Sequence, residues 1–197
     1  MTVLIVADGP RDEASLPPLI ETILGRKINV EFESWVRIHH RGSGRGYGRK
    51  LRFSIAHARS HGMKGLVAVV DRDKDRAGHR ERDLKTTRDE ERQAGRQFPI
   101  ALGVADPHVD VWLLDDPVAV RQGLGLSSDA EIINIRRAKV PKDELDKLIK
   151  PNEFAQIVDA LKAIAKRVDP DRCGHANQTG FAPFADDCCR ELANPPD

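Results

Sequence analysis

Short apolar runs that alternate with segments of helical spacing constrain the fold of this chain more than any other feature. The runs are Thr2–Ala7 (TVLIVA), residues 66–70 (LVAVV) and residues 100–104 (IALGV). Continuous β-branched runs of this length are typical of strands buried on both faces of a parallel sheet. Residues 28–38 alternate well enough to predict one more strand. This β-α-β alternation predicts an α/β fold, a Rossmann-like parallel sheet of four to five strands flanked by helices.

Helical periodicity connects these strands and continues to the end of the chain. Asp12 or Ser15 is a candidate cap for a first helix that runs to Leu24. The other predicted helices cover residues 49–61, a charged segment within 71–96, and residues 151–168 and 183–192. We therefore expect a catalytic core over residues 1–120 and a helical C-terminal extension over residues 121–197, packed on that core.

Composition excludes several classes of protein. No apolar run exceeds about six residues, which is too short for a membrane span, and the first residues lack the basic start of a signal peptide. The three cysteines, Cys173, Cys188 and Cys189, do not form a disulfide framework, and with His175 they match no common zinc spacing. We expect a cytoplasmic protein that does not enter a membrane.

A long basic stretch indicates an anionic partner. Residues 34–70 contain no Asp or Glu but eight Lys or Arg and four His. Nucleic acid, DNA or RNA, is the commonest partner of such a segment, and a solvated basic surface is the alternative.

Within this stretch, residues 41–48 (RGSGRGYG) predict a Gly-rich loop. Its glycines permit close approach to a phosphate, Arg41, Arg45 and Arg49 supply positive charge, and Tyr47 is a candidate for stacking on a base. The segment lacks the Gly-Lys-Ser/Thr ending of an ATP-binding P-loop. A linker without function is the alternative interpretation.

Aspartates follow the predicted strands at the points where their apolar runs stop. Asp8 follows the first run, Asp71 and Asp73 follow the run at 66–70, and Asp106 and Asp110 follow the run at 100–104. The carboxyl ends of parallel strands share one edge of a sheet, where ligands bind. Converging carboxylates repel one another unless a cation such as Mg²⁺ or Mn²⁺ joins them. Alternatively, each aspartate simply begins a turn or caps a helix.

Three segments carry a resemblance to a known family. VADGPRDE at residues 6–13 and VVDRD at residues 69–73 resemble the two signatures of Toprim (topoisomerase–primase) domains, an acidic residue with Gly after the first strand and Asp-x-Asp after the third. HVDVWLLDDP at residues 108–117 resembles an acidic–Trp–Leu–Leu element of small stand-alone Toprim-like and OLD-nuclease-like proteins. The resemblance covers roughly residues 1–120.

The resemblance implies a metal-dependent nuclease that acts with a partner ATPase in phage defence, and a homodimer is compatible with it. Asp8, Asp71 and Asp73 would be catalytic and bind the metal, and Asp110 would be a further metal ligand. The first acid of the family is usually Glu, whereas this chain has the shorter Asp8. That departure keeps a second hypothesis open, a binding module for nucleic acid or a partner protein without catalysis. Another phosphoryl transfer, such as nucleotidyl transfer, is the alternative among enzymes.

Overall fold

The described part of the chain forms an α/β structure around an all-parallel sheet. The structure is a computed structural model, and it describes residues 1–43, 46–72, 75, 77–136, 140–149 and 157–193. Four strands pair in the order β2-β1-β3-β4. They are β1 (Thr2–Ala7), β2 (Asn29–Ser34), β3 (Gly65–Asp71) and β4 (Ile100–Ala105).

Helices cover both faces of this sheet. They are α1 (Pro10–Leu24), α2 (Trp35–Ile38), α3 (Tyr47–Ser60), α4 (His79–Gln93), α5 (Asp110–Leu114), α6 (Pro117–Leu124), α7 (Pro141–Leu148), α8 (Ile157–Ala165), α9 (Ala176–Thr179) and α10 (Phe181–Leu192). A π-helical turn (His39–Ser43) and a 3-10 turn (Pro170–Arg172) complete the described elements. The predicted fold class, a parallel sheet with helices and C-terminal helices, is confirmed.

Successive side chains of the central strands point to opposite faces and build two cores. Leu4 and Val6 join a cluster with Leu51 of α3 and Leu84 of α4. The alternate residues of the same strands join a larger cluster on the other face, with members from α1, α5, α6, α8 and α10. Because side chains alternate along a strand, the continuous apolar runs explain why both faces are covered.

The predicted strand over residues 28–38 is wrong in its second half. The strand β2 ends at Ser34, and Trp35–Ile38 form the helix α2. The Ser34 hydroxyl accepts a hydrogen bond from the backbone N–H of Arg37, which caps this helix. The Trp35 indole is buried and donates to the Val69 carbonyl at 2.7 Å. A cap and a tertiary contact therefore override the local alternation.

The prediction that residues 41–48 form a loop is also wrong in part. The π-helical turn reaches Ser43, and Tyr47 and Gly48 already belong to α3. A Cβ atom at Gly48 would lie 2.8 Å from the Thr87 hydroxyl of α4. Gly48 is therefore needed for the close approach of α3 and α4 rather than for a flexible loop.

The helix α1 begins earlier than either predicted cap. Gly9 is its N-cap, and Asp12 lies at the third helical position, where its carboxylate accepts hydrogen bonds from the backbone of Asp8 and Gly9 at 2.9 and 3.3 Å. Pro10 occupies the first turn, where a missing N–H costs nothing.

The C-terminal helices pack directly on the sheet and its first helix. Helix α8 lies against α1, and α10 lies against β4. At Gly180 a Cβ atom would meet the Val104 carbonyl at 1.9 Å, so only glycine permits α10 to approach the strand. The boundary at residue 120 stays a prediction. No helix in the described ranges is both long and apolar enough to span a bilayer.

Candidate functional site

Two predicted site residues lie at the carboxyl edge of neighbouring strands. Asp8 directly follows β1, and Asp71 is the last residue of β3. The two strands pair in parallel through Val6 and Ala68, so their ends reach the same edge of the sheet. Strand register thus brings together two aspartates that are 63 positions apart in sequence.

The Tyr47 side chain lies beside these aspartates. Its half-buried ring meets the Trp35 ring edge-to-face, with centroids 5.2 Å apart. Burial raises the pKa of the Tyr47 phenol, and the negative charges of Asp8, Asp71 and Asp75 raise it further, while Arg80 opposes them. The Tyr47 phenol therefore lies in a negatively charged environment to which aspartates from several elements contribute.

Two cations also converge on Tyr47. Lys50 Nζ lies 5.0 Å, and the Arg80 guanidinium carbon 5.2 Å, from the centroid of the Tyr47 ring. Arg80 Nη1 donates to the Asp71 carbonyl at 3.0 Å. Partial burial lowers the pKa of Lys50; the charge of Arg80 adds to this and that of Asp8 opposes it. Among the residues that the structure describes, neither cation forms an ion pair with a carboxylate.

Asp75 fixes the helix that carries Arg80. Its carboxylate accepts from the backbone N–H groups of His79 and Arg80 at 3.0 and 2.6 Å, and these hydrogen bonds lower the pKa of Asp75. A carboxylate at a helix N-terminus is stabilised by the exposed N–H groups there. This geometry agrees with an anchoring role for Asp75 in its loop.

Asp12 lies just behind the carboxyl edge. Burial raises the pKa of its carboxyl to about 6, against the effect of the Asp8 backbone N–H; the charges of Asp8 and Asp110 raise it further. Asp12 is 8% exposed. It is therefore a buried acid that holds the turn after β1, and burial makes it lose its proton at a higher pH than an ordinary aspartate.

The structure places Asp110 differently from Asp8 and Asp71. Asp110 begins α5, is buried, and accepts from Arg11 Nε at 2.9 Å. Arg11 also binds Asp146 of α7, and His108 Nδ1 lies 3.2 Å from Asp110. Burial favours a raised pKa, but His108 and Arg11 hold the pKa of Asp110 below its usual value. The predicted metal-binding role of Asp110 would compete with this ion pair.

The residues predicted to bind nucleic acid are not equivalent. Arg41 Nη1 pairs with the buried Glu33 at 2.8 Å, whereas Arg49 is exposed on the first turn of α3. The side chains of Trp35, Lys50 and Arg80 lie against the Tyr47 ring. Stacking of this ring on a base would require them to move. The predicted site residues Asp73 and Arg45 lie outside the described residues.

The next question is whether the described carboxylates could bind the Mg²⁺ or Mn²⁺ that the resemblance implies. No group of three or more His, Cys, Asp or Glu suited to a metal occurs among the described residues, which leave out Asp73. Mg²⁺ favours one or two direct carboxylates together with several waters. Asp8 and Asp71 fit that smaller requirement.

Sequence reasoning did not identify Lys50, Arg80 or Asp12 as site residues. Lys50 follows Tyr47 by three positions and therefore shares its face of α3. Arg80 is thirty positions further along and reaches Tyr47 through the packing of α4 on α3. Helical spacing was a usable signal for Lys50, and none existed for Arg80.

The chain was compared with protein-family models, with curated proteins and with solved structures. None of these comparisons gives a match. The resemblance to Toprim domains therefore stays a prediction that depends on the quoted segments.

Proposed function

We propose that the protein hydrolyses phosphodiester bonds of nucleic acid in a reaction that depends on Mg²⁺ or Mn²⁺. The observation that carries the proposal is the set of two carboxylates, Asp8 and Asp71, and two cations, Lys50 and Arg80, around Tyr47; neither cation forms an ion pair with a described carboxylate. A site with both signs of charge suits a phosphate and its metal together, because carboxylates bind the cation and ammonium or guanidinium groups bind the phosphate oxygens.

Each side chain has a distinct task in this proposal. Asp8 and Asp71, with Asp73 as the Asp-x-Asp partner, would hold the metal. A bound Mg²⁺ would polarise the phosphoryl oxygen and lower the pKa of an attacking water. Lys50 and Arg80 would bind the non-bridging oxygens and stabilise the charge that develops there. Tyr47 orients both cations through its ring face.

The acid-free stretch over residues 34–70 supports nucleic acid as the substrate. It supplies α3, whose first turn carries Tyr47, Arg49 and Lys50 next to the carboxyl edge of the sheet. Basic side chains beside a phosphate-cleaving centre would bind the backbone on either side of the scissile bond. An ATPase partner, a role in phage defence, a homodimer and a cytoplasmic location are proposals that follow from the Toprim resemblance alone.

A binding module without catalysis is the second candidate. Two observations favour it: Asp8 is shorter than the usual Glu, and no three-carboxylate group occurs among the described residues. In that case Lys50, Arg80 and Arg49 would bind phosphates and nothing would be cleaved.

The decisive experiment combines metal binding with cleavage. We expect the purified protein to cut labelled DNA or RNA oligonucleotides in Mg²⁺ or Mn²⁺ and to stop in EDTA. Asp8→Asn should weaken Mn²⁺ binding, measured by electron paramagnetic resonance, and reduce cleavage in parallel. Asp159→Asn is the matched control, since Asp159 is exposed on α8.

Two outcomes contradict the nuclease. Cleavage that persists in EDTA excludes a metal-dependent reaction. Salt-sensitive oligonucleotide binding without cleavage, with or without an ATPase subunit, favours the binding module.

A further inference from the structure

A groove runs along strand β4 between α4 and α10. Its volume is about 510 Å³, within the range of small-molecule sites and large enough for a mononucleotide. Leu102 and Val104 of β4 and the exposed Pro183 of α10 form an apolar strip along it. We call this cavity the α4–α10 groove.

The groove contains polar side-chain groups that form no hydrogen bond with a described residue. Arg88 Nη1 binds Asp187 at 2.5 Å, but the buried Arg88 Nε has no hydrogen-bond acceptor within the described part of the chain. A buried donor without an acceptor loses the free energy of its hydration. The side-chain amides of Asn177 and Gln178 at the rim also form no hydrogen bond with a described residue. The lining of the groove thus includes one enclosed donor and, at the rim, two amides that are exposed to water.

The groove is lined by charged side chains of both signs, and Arg88 is one of its basic groups. Within the described residues, Arg88, Arg92 and Arg190 share two carboxylates, those of Asp187 and Glu191. The charged side chains that line the groove are four basic and four acidic ones, so their formal charges sum to zero: Arg72, Lys85, Arg88 and Arg190 against Glu81, Asp106, Asp186 and Asp187. Asp186 on the rim is exposed to water, so its charge is screened more strongly than that of the buried Arg88.

The groove ends at the candidate site. Arg72 and Asp106 line that end, and each directly follows one of the paired residues Asp71 and Ala105. The Arg72 backbone N–H donates to the carbonyls of Ala105 and Pro107 at 2.8 and 3.0 Å. A strand whose phosphate lay at Asp71 would therefore have its neighbouring nucleoside within reach of the groove.

We propose that the α4–α10 groove binds one unpaired nucleoside with its phosphate, and that the substrate is accordingly single-stranded at this position. This inference rests on the proposed nuclease function for its link to Asp71. The base would lie on the apolar strip, the amides of Asn177 and Gln178 would bond its polar edge, and Arg88 Nε would donate to an oxygen. A base that is paired in a duplex could not enter the groove.

The first test measures binding without catalysis. The ¹⁵N-labelled protein in EDTA is titrated with adenosine and uridine 5′-monophosphates and, separately, with inorganic phosphate. We expect amide shifts at Leu102, Val104 and Gln178 with the nucleotides but not with phosphate. Equal shifts with phosphate alone, or shifts confined to other regions, overturn the proposal.

Variants test which groups bind. Asn177→Ala with Gln178→Ala should lower nucleotide affinity about tenfold, as expected for two lost neutral hydrogen bonds. Arg88→Lys should also weaken binding, since lysine keeps a charge for Asp187 but has no Nε donor. Gln122→Ala, an exposed amide on α6, is the matched control and should bind normally. Unchanged affinity in both groove variants contradicts the groove assignment.

The second test separates this inference from the nuclease proposal. A single-stranded oligonucleotide should be cleaved faster than its duplex, and the Asn177/Gln178 variant should lose that preference. Equal cleavage of both substrates by both proteins overturns the inference and leaves the nuclease intact. Nucleotide binding in the groove without any cleavage supports the groove and contradicts the nuclease.

Discussion

Two sets of aspartates follow strands of the sheet in the sequence, and their surroundings differ. Asp110 and Asp116, after β4, are buried and bound by Arg11 and Arg172. Asp116 also accepts from the backbone N–H groups of Val118, Ala119 and Asp169. Near Asp8 and Asp71, by contrast, the cations Lys50 and Arg80 lie on a tyrosine ring rather than in ion pairs with described carboxylates.

The difference separates structural acids from candidate functional ones of the same type. Burial alone would raise the pKa of Asp116, but Arg172 and the backbone donors lower it, so the carboxylate is held ionised and fully used by the fold. An acid satisfied in this way has little capacity left for a metal. We therefore expect the two sets to respond in opposite ways to mutation.

The largest expected effect is on catalysis at Asp71. Asp71→Ala should reduce cleavage by more than about a hundredfold, since even the loss of a residue that only hydrogen-bonds to a metal ligand can reduce activity by that much. Its free energy of unfolding should stay equal or rise, because repulsion with neighbouring carboxylates is relieved. Cleavage assays and urea denaturation measure the two quantities. Retained activity in Asp71→Ala would mean that Asp71 is not needed for catalysis.

Asp116 should show the reverse pattern. Asp116→Ala removes a helix cap and one of the two carboxylates that pair with Arg172, the other being Asp169, and it should cost about 3 kcal/mol in the free energy of unfolding. Activity per folded molecule should be unchanged. Asp171→Ala, at an exposed neighbouring position, is the control and should alter stability little. A stable Asp116→Ala protein without activity would place Asp116 in the functional set.

Asp12 belongs to neither set, and its raised pKa predicts that the free energy of unfolding depends on pH. Its pKa of about 6 exceeds the ordinary 3.8, so the folded state keeps a proton that the unfolded chain releases between these values. Its contribution to stability is thus complete below pH 4 and falls by up to about 3 kcal/mol as pH rises to about 6. Asp12→Asn should remove this loss, measured by urea denaturation from pH 4 to 7. Parallel profiles for the two proteins would rule out a raised pKa.

The smallest expected effect is on the salt dependence of oligonucleotide binding, which should differ between Arg49→Ala and Arg41→Ala. Arg49→Ala should lower the slope of log K against log salt for oligonucleotide binding by about 0.7 to 0.9, the value of one phosphate contact. Arg41→Ala should change the slope less, since Glu33 already neutralises Arg41. Equal changes for the two variants would mean that Arg41 leaves Glu33 when nucleic acid binds.

Sequence predicted the sheet well because burial on both faces leaves a direct pattern. The runs at Thr2–Ala7 and residues 66–70 became central strands whose alternate residues fill both cores. The same reasoning failed at Trp35–Ile38, where a Ser34 cap and the indole bond to Val69 decide the conformation. The cap is local, but the indole hydrogen bond depends on a strand that is distant in sequence.

The acids of the candidate site could be predicted from the sequence, and helical spacing was a signal for Lys50, whereas Arg80 could not be predicted. Asp8 and Asp71 stand where apolar runs stop, so strand register alone brings them to one edge. Arg80 reaches Tyr47 because α4 packs on α3, and Gly48 permits that approach. A glycine in a basic segment indicates a loop in sequence, whereas here it serves helix packing.

The capping of β4 by α10 has a consequence for self-association. Asp187 accepts the Leu102 backbone N–H at 2.8 Å, and Thr179 accepts the N–H of Asp106 at 3.0 Å. An incoming peptide strand would have to displace a buried carboxylate and a helix before it gained a single ladder bond at this edge. Exposed strand edges are the usual starting points of intermolecular β-pairing. Partly unfolded molecules in which α10 has detached should therefore be the ones that nucleate aggregates through β4.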